Sequence, residues 1–343
     1  RRYFACRGCK AKQTPWESWA GVTGTHRVTP HARRMVVLAG SGCSFDEASR
    51  NLREIGHIQL SNDVVRRVCD EEGKSVRQWM NTSVELKEAF DAAGGVVEFS
   101  TDGLKINTVD GWREIRQSVI SKRTPALPVP ADQWDRRPLE PPTVRLAVCG
   151  IAHCDVIGAS WERLVKVLGL PEGLQMSVIA DGAKWIWDQA AKRFIRQDAQ
   201  WVVDVYHVML YLFAAAAALG TRPAEQWVGK RVIELIEMGG PKFIGHLRGI
   251  GPPDPSPTTA EAWARLLNYL NDNIDSLWYG RRLAEGLPIG SGLIEGGGKN
   301  TLARRLKINS ARWRVRRAER MEAIRCLQYS GMWETYWESK HAA

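Results

Sequence analysis

GGVVEFSTDGLKIN, residues 94–107, decides how the chain is read, because an apolar, β-branched and aromatic run carries an aspartate, Asp102, inside it. WREIRQSVISKR, residues 112–123, is a second β-rich run, and the turn containing Asp110-Gly111 between the two makes a hairpin. The six prolines of TPALPVPADQWDRRPLEPP, residues 124–142, then exclude regular structure. Beyond them TVRLAVCGI (143–151) and QMSVIADG (175–182) read as buried strands bracketing the helical text SWERLVKVLGL, and DAQWVVDVYH (198–207) reads as a further strand after a helix around Trp185 to Phe194. Three strands, a crossover helix, then strand, helix and strand describe a mixed sheet with helices, an α/β domain.

From Asp204 to about Glu285 the text turns wholly helical and interrupts the α/β pattern. WVGKRVIELIEMGGP stops at Gly239, Gly240 and Pro241, and TTAEAWARLLNYLNDNIDSLWY follows. VYHVMLYLFAAAAAL, residues 205–219, falls short of the ~20 apolar residues of a membrane helix and holds His207, so it is expected as a buried helix of a soluble protein.

Two acids end apolar strands and are followed by glycine, Asp102 after VVEFST and Asp181 after MSVIA. An acid at a strand tip is costly to desolvate and adds nothing to the core, so it serves a site at the sheet edge or caps the next helix. Capping is an even alternative for Asp181, which precedes a helix, but not for Asp102, inside a hairpin strand. A third acid, Glu295, lies in GSGLIEGGGKN, residues 290–300. Despite its glycines this loop is no phosphate cradle. A Walker loop would need glycine where Leu293 stands and Ser or Thr where Asn300 stands, and the dinucleotide fingerprint fails at Glu295 itself. Three carboxylates from distant points of the chain can hold two divalent metals about 3.5 to 4 Å apart for phosphodiester chemistry. Hard Mg²⁺ prefers such oxygen ligands.

In order, TDGLKINTVDGWREIR, IADGAKWIW, VVDVYHVMLYL, PIGSGLIEGGGKN, RRLKINSARW and GMWETYW resemble the bacterial DDE transposases of the ISKra group of insertion sequences, over nearly the whole chain. The N-terminal stretches RRYFACRGC and FDEASRNL are similar to that family's zinc knuckle and helical DNA-binding region. The resemblance implies an RNase H-like core with an all-helical insertion between the second Asp and the Glu. Carried over, it implies Asp102, Asp181 and Glu295 as a catalytic triad binding two Mg²⁺ or Mn²⁺, and Asp204 and His207 as a DxxH motif with His207 acting on a phosphate or leaving oxygen. A core histidine paired with Asp204 is the alternative. Gly296, Gly297 and Gly298 depart from the expected helix formers, each costing about 1 kcal/mol against Ala, so Glu295 is expected to order on binding metal or DNA. The implied partition is a knuckle-like segment (1–28), a helix-turn-helix-like domain (29–85), a first part of the core (86–204), the insertion (205–286) and a C-terminal part with a basic helix (287–343).

Cys6 and Cys9 form a CxxC at which thiolates could chelate Zn²⁺, with His26 and His31 as further ligands; two unligated cysteines in a short basic hairpin fit equally. Ser44-Phe45-Asp46-Glu47 opens a helix as a capping box, GHIQL makes a turn, and Ser61 or Asn62 caps a second helix with Val64, Val65 and Val68 on its core face. That is the outline of a helix-turn-helix offering Arg66 and Arg67 to DNA, although a plain helical hairpin has the same pattern.

The 343 residues carry 48 Lys plus Arg against 38 Asp plus Glu, a net charge of +10 that favours a polyanionic partner. Lys299, Arg304, Arg305, Lys307, Arg312, Arg314, Arg316, Arg317 and Arg320, opposed only by Glu319, are too one-signed for a merely solvated face and are expected to contact DNA. Met321, Ile324 and Leu327 repeat there at helical spacing. Of 15 tryptophans most, such as Trp185 and Trp187, are expected in the core, and one in the insertion is expected to stack on or wedge beside a base. Seven scattered cysteines, with no secretory signal, indicate a reducing compartment, the bacterial cytoplasm and its nucleoid, and the lack of an initiating Met leads us to expect a trimmed chain. The expected partners are double-stranded DNA, both terminal inverted repeats and target, and further copies of the chain in a dimer or higher oligomer on that DNA. A domesticated DNA-binding regulator and a structure-selective RNase H-like nuclease are the rival readings.

Overall fold

The computed structural model describes residues 4–22, 28–252, 255–308 and 310–342. It divides into two compact units, the first made of Arg1–Thr82, Lys105–Glu114 and Lys299–Ala343, the second of Ser83–Leu104 and Ile115–Gly298.

In the first unit a small antiparallel hairpin, β1 (Phe4–Ala5) and β2 (Lys12–Gln13), precedes a set of helices. Thr29, Ser44 and Ser61 cap the helices Pro30–Gly42, Phe45–Glu54 and Asn62–Met80, each hydroxyl accepting from a backbone N–H three residues on. Asn62–Met80 buries Val65, Val68, Val76 and Met80 and packs along the C-terminal helix Val315–Tyr329, where Met321, Ile324 and Leu327 are buried. The two backbones approach so closely that a Cβ on Gly73 would lie 2.3 Å from the Arg320 carbonyl oxygen. The expected basic helix is thus largely a packing element of this unit. Two of its charges turn to the helix facing it, Arg320 to Asp70 at 2.6 Å and Glu319 to Arg77 at 3.1 Å.

The second unit contains a five-stranded mixed sheet built on β3 (Val96–Thr108), β4 (Gly111–Arg123), β5 (Val144–Gly150), β6 (Gln175–Ala180) and β7 (Asp198–Val203), in the order β5-β4-β3-β6-β7. β3 and β4 are the expected hairpin, whose tip groups with the first unit. β4 and β5 pair antiparallel, while β3–β6 and β6–β7 pair parallel, the latter pairs needing the crossover helices Cys154–Leu168 and Lys184–Arg193. The proline-rich stretch holds one 3₁₀ turn, Ala131–Gln133, and is otherwise irregular.

After β7 come the helices Val205–Ala218, Ala224–Met238, Gly240–Ile250, Pro257–Asp272 and Tyr279–Ala284, packed around Val208, Leu212, Val232, Phe243, Leu266 and Leu270. One expectation is corrected here. Gly239-Gly240-Pro241 does not simply end a helix: Gly239 closes Ala224–Met238 and opens Gly240–Ile250, whose first turn takes Pro241 because its missing N–H is unbonded there anyway. Trp185 and Trp187 are half-buried at the edge of the core, Trp185 against the buried Trp161 and Trp187 against the helical cluster while donating to Asn273. None of the seven cysteines is in a disulfide, and no described helix is long and apolar enough to cross a membrane.

Glu322 is fully buried in the first unit, and burial outweighs the hydrogen bond from Thr301 and the nearby Arg325 guanidinium to push its carboxyl up to about 8. The native state therefore keeps a proton that the unfolded chain loses near 4.5, and stability must fall as pH rises from about 4.5 to about 8. Glu322→Gln should match the wild type in urea denaturation below the lower bound and exceed it above the upper one, by up to roughly 3–5 kcal/mol. Parallel stability curves for the two proteins would contradict this burial account.

Candidate functional site

Strand register builds the site. β3 and β6 pair in parallel up to Ser100↔Ile179, and two residues further the same register brings Asp102 level with Asp181. β6 and β7 pair up to Ala180↔Val203, so the next residues, Asp181 and Asp204, are level as well. Three aspartates therefore stand level in a row, Asp102 within β3 just beyond its last pairing with β6, and Asp181 and Asp204 directly after β6 and β7. The sheet order changes direction here, β3 leading to β4 on one side while β6 lies on the other, the kind of position where ligands bind in α/β sheets.

Each aspartate meets a different environment. Asp102 accepts from the Gly103 N–H at 2.7 Å. Burial, together with the Asp181 and Glu295 carboxylates, pushes the Asp102 carboxyl above its usual range, against the pull of that hydrogen bond and of His207. Asp181 Oδ1 accepts from the Ala183 N–H at 2.8 Å, which steadies the turn ahead of Lys184–Arg193. It is not the cap of that helix, whose N-cap residue is Ala183 with no side-chain cap hydrogen bond. The Asp181 carbonyl accepts from the Tyr269 hydroxyl at 2.7 Å, and Tyr269 stacks on Tyr211 with centroids 3.9 Å apart, so the helical segment clamps the loop behind this acid.

Asp204 is fully buried and serves as a hub. It caps Val205–Ala218 by accepting from the Tyr206 N–H at 2.9 Å, lies 3.3 Å from His207 Nδ1, and accepts from the Ser291 hydroxyl. The hydrogen bond to Asp204 is the main reason the His207 imidazole is raised above its usual range; the Asp204, Asp181 and Asp102 charges add to it and burial opposes it. His207 is thus paired with Asp204, as the core-histidine alternative expects, but it is half-buried and within electrostatic reach of Asp102 and Asp181.

Glu295 arrives on a separate segment, and several hydrogen bonds fix that segment's path. Ala126 N–H donates to the Gly286 carbonyl, Arg137 to that of Leu287, Arg282 to that of Pro288, and Val205 N–H to that of Ile289. A Cβ on Gly290 would meet the Tyr206 ring at 2.9 Å and Asp204 Oδ1 at 3.4 Å, so glycine is required where the segment passes the hub. Ser291 then bonds Asp204, and the helix Gly292–Gly298 carries Glu295 in its first turn. Gly292, Gly296 and Gly298 have open space where a side chain would go. The close approach therefore depends on Gly290, and the later glycines are not what brings Glu295 near. Ser291, Tyr206 and Tyr269 are site-building residues that sequence reasoning did not single out; only Ser291, beside Gly290 in the quoted loop, carried a local signal.

Among the described residues, the group of three candidate ligands whose donor atoms all lie within 4.8 Å of one another is His153, Cys154 and Asp155, three consecutive residues at the start of a helix. Asp102, Asp181 and Glu295 are near enough to interact but are not closed to that distance. Cys6 and Cys9 are both exposed in the turn between β1 and β2, where hydrogen bonds from the Cys9 backbone and thiol hold the Cys6 thiol below its usual range. Among the described residues nothing completes a metal site with them; His31 is exposed, and His26 lies outside the described residues.

The expected DNA-binding residues, all in the first unit, separate into two sets. Arg66, Arg305, Arg312 and Arg314 converge on one cavity of about 410 Å³, joined there by Arg317. Lys299, Arg304, Lys307 and Arg67 are exposed and do not line it. Arg66 and Arg67 both pair with Asp63, Arg67 staying exposed, while Arg305 is buried.

No protein-family model matches the chain, and no curated protein matches it.

The packing of the return segment gives a direct check. Gly290→Ala should destabilise by about 1–3 kcal/mol through overpacking against Tyr206, whereas Gly296→Ala, into open space on a helix, should stabilise by about 0.5–1 kcal/mol. Equal effects in chemical denaturation would contradict the assigned path of this segment.

Proposed function

We propose that the chain is a DNA transposase of the DDE type, similar to the ISKra group, that binds the ends of its own insertion sequence and cuts and rejoins DNA strands. The observation that carries this reading is the convergence of Asp102, Asp181 and Glu295, with the Asp204–His207 pair, where the parallel pairing of β3, β6 and β7 ends. The order of the five-stranded mixed sheet, with an all-helical segment between β7 and Glu295, supports an RNase H-like core.

Asp102, Asp181 and Glu295 fit divalent metal on two counts. They are hard oxygen donors, and Asp102, whose carboxyl is raised by burial and then by the Asp181 and Glu295 charges, would be stabilised in its ionised form by positive charge between them. Bound there, two Mg²⁺ or Mn²⁺ would supply electrostatic stabilisation of the attacking and leaving oxygens. The chain's own part is positional. The three carboxylates stand on elements fixed by strand register and by the laced return segment, which limits reorganisation during reaction. Asp204 orients the His207 ring and favours its protonated form, so His207 can carry a proton to a leaving oxygen or hold a phosphate. Water, and then a DNA 3′-hydroxyl, attacks phosphorus in line, and no covalent protein intermediate is needed. The exposed basic residues of the first unit supply phosphate contacts whose strength falls with salt.

The test is cleavage of a duplex carrying candidate element ends in Mg²⁺. Asp102→Asn, Asp181→Asn and Glu295→Gln should each abolish cleavage while leaving end binding nearly intact. Substantial cleavage by any variant removes that residue from the site; mobility shifts without nicking by the wild type would favour a DNA-binding regulator, and nicking without joining a nuclease.

A further inference from the structure

The cavity of about 410 Å³ in the first unit has a composition that the catalytic reading does not use. Five arginines line it, Arg66, Arg305, Arg312, Arg314 and Arg317, and no carboxylate does so among the described residues. Its volume is that of a small-molecule pocket rather than a flat basic surface.

Arg305 is the informative residue. It is 3 % exposed, its Nε donates to the Gly40 carbonyl at 2.9 Å, and its guanidinium lies 4.5 Å from the Phe45 ring centroid and 4.8 Å from that of Trp313. Its Nη2 has no hydrogen-bond partner among the described residues. Its titratable neighbours include the Cys43 and Cys69 thiols, both pushed up by burial, Cys69 to about 12, so neither supplies a negative charge at neutral pH. A buried cation without a counter-ion is costly, and two aromatic faces offset only part of that cost. Arg317 is in similar company: burial and the Arg66, Arg314 and Arg316 charges push its guanidinium down, opposed by Asp70. The walls are held by paired backbone bonds, Trp313 N–H to the Asn107 carbonyl and Val109 N–H to that of Trp313, each 3.0 Å. Val109, Ile308 and Trp313 add apolar lining beside the arginines.

We propose that this pocket seats one phosphate of a single-stranded DNA segment together with its nucleoside, the phosphate taken by Arg314 and Arg317 above the buried Arg305 charge and the nucleoside by the apolar lining. Arginine forks match phosphate oxygens in pairs, and a basic groove with aromatic side chains is the arrangement that binds unpaired strands without reading sequence. An intact duplex offers its backbone but keeps its bases stacked, so it cannot fill the cavity. The proposal takes DNA as the partner from the proposed function, yet it concerns a different unit and needs no catalysis.

The experiment measures fluorescence anisotropy of a labelled 12-nucleotide single strand and of the matching blunt duplex, in EDTA, over a range of NaCl. The proteins are the wild type, the double variant Arg314→Gln/Arg317→Gln and, as a control outside the pocket, Arg53→Gln; thermal melts confirm folding. Expected are tighter binding of the single strand than of the duplex by the wild type, a loss of ten-fold or more for the single strand in the double variant, and a salt slope lower by roughly 1. The duplex should lose less, and thymidine monophosphate should compete only at concentrations far above those of the strand. Equal loss for strand and duplex, no loss beyond that of the control, or competition by the free nucleotide at strand concentrations would each overturn the proposal. Because EDTA removes cleavage, this contrast can hold even where Mg²⁺-dependent nicking fails, and it can fail where nicking holds.

Discussion

The candidate site depends on one constraint above all, the in-frame parallel pairing of β3, β6 and β7. The register that matches Ser100 with Ile179 and Ala180 with Val203 also aligns Asp102, Asp181 and Asp204 where that pairing ends. Side chains alternate faces along a strand, so a slip of one residue in either ladder would turn one acid away from the others. The buried apolar partners Val97, Phe99, Met176, Val178, Val202 and Val203 resist such a slip, because both faces of these strands are packed and a slip would exchange side chains of different size between them. The same packing that holds the sheet together thus places the charges.

A second, smaller constraint is the buried Asp204. A carboxylate removed from water is tolerated only when its oxygens are bonded, and Tyr206, His207 and Ser291 do this from two separate segments. The cost of leaving it unsatisfied makes Asp204 a lock that joins the start of Val205–Ala218 to the segment bearing Glu295. The long helical excursion between them can therefore vary in its own packing while both ends return to the same point.

Much of the secondary structure was legible because it rests on local signals. The hairpin around Asp110-Gly111, the Ser44 and Ser61 caps and the apolar runs of β5, β6 and β7 are all where composition and periodicity place them. Gly239-Gly240-Pro241 was misread because one glycine can end a helix and start the next, and proline suits the second role as well as a stop. Asp102 and Asp181 stood out as acids spoiling apolar strands. Ser291, Tyr206 and Tyr269 did not, since their importance arises only when residues distant in sequence meet. The basic run was legible only in part for a related reason: helical periodicity shows Met321, Ile324 and Leu327 turning inward, but not that Arg320 meets Asp70 or that Arg305 packs on Phe45 and Trp313.

The central claim is that Asp102, Asp181 and Glu295 form one metal-binding centre. It is tested most directly by crystals grown or soaked with Mn²⁺ and measured for anomalous scattering. The account predicts Mn²⁺ peaks held by these three carboxylates. Crystals showing no Mn²⁺ there, or Mn²⁺ only at the exposed His153-Cys154-Asp155 cluster, would contradict it.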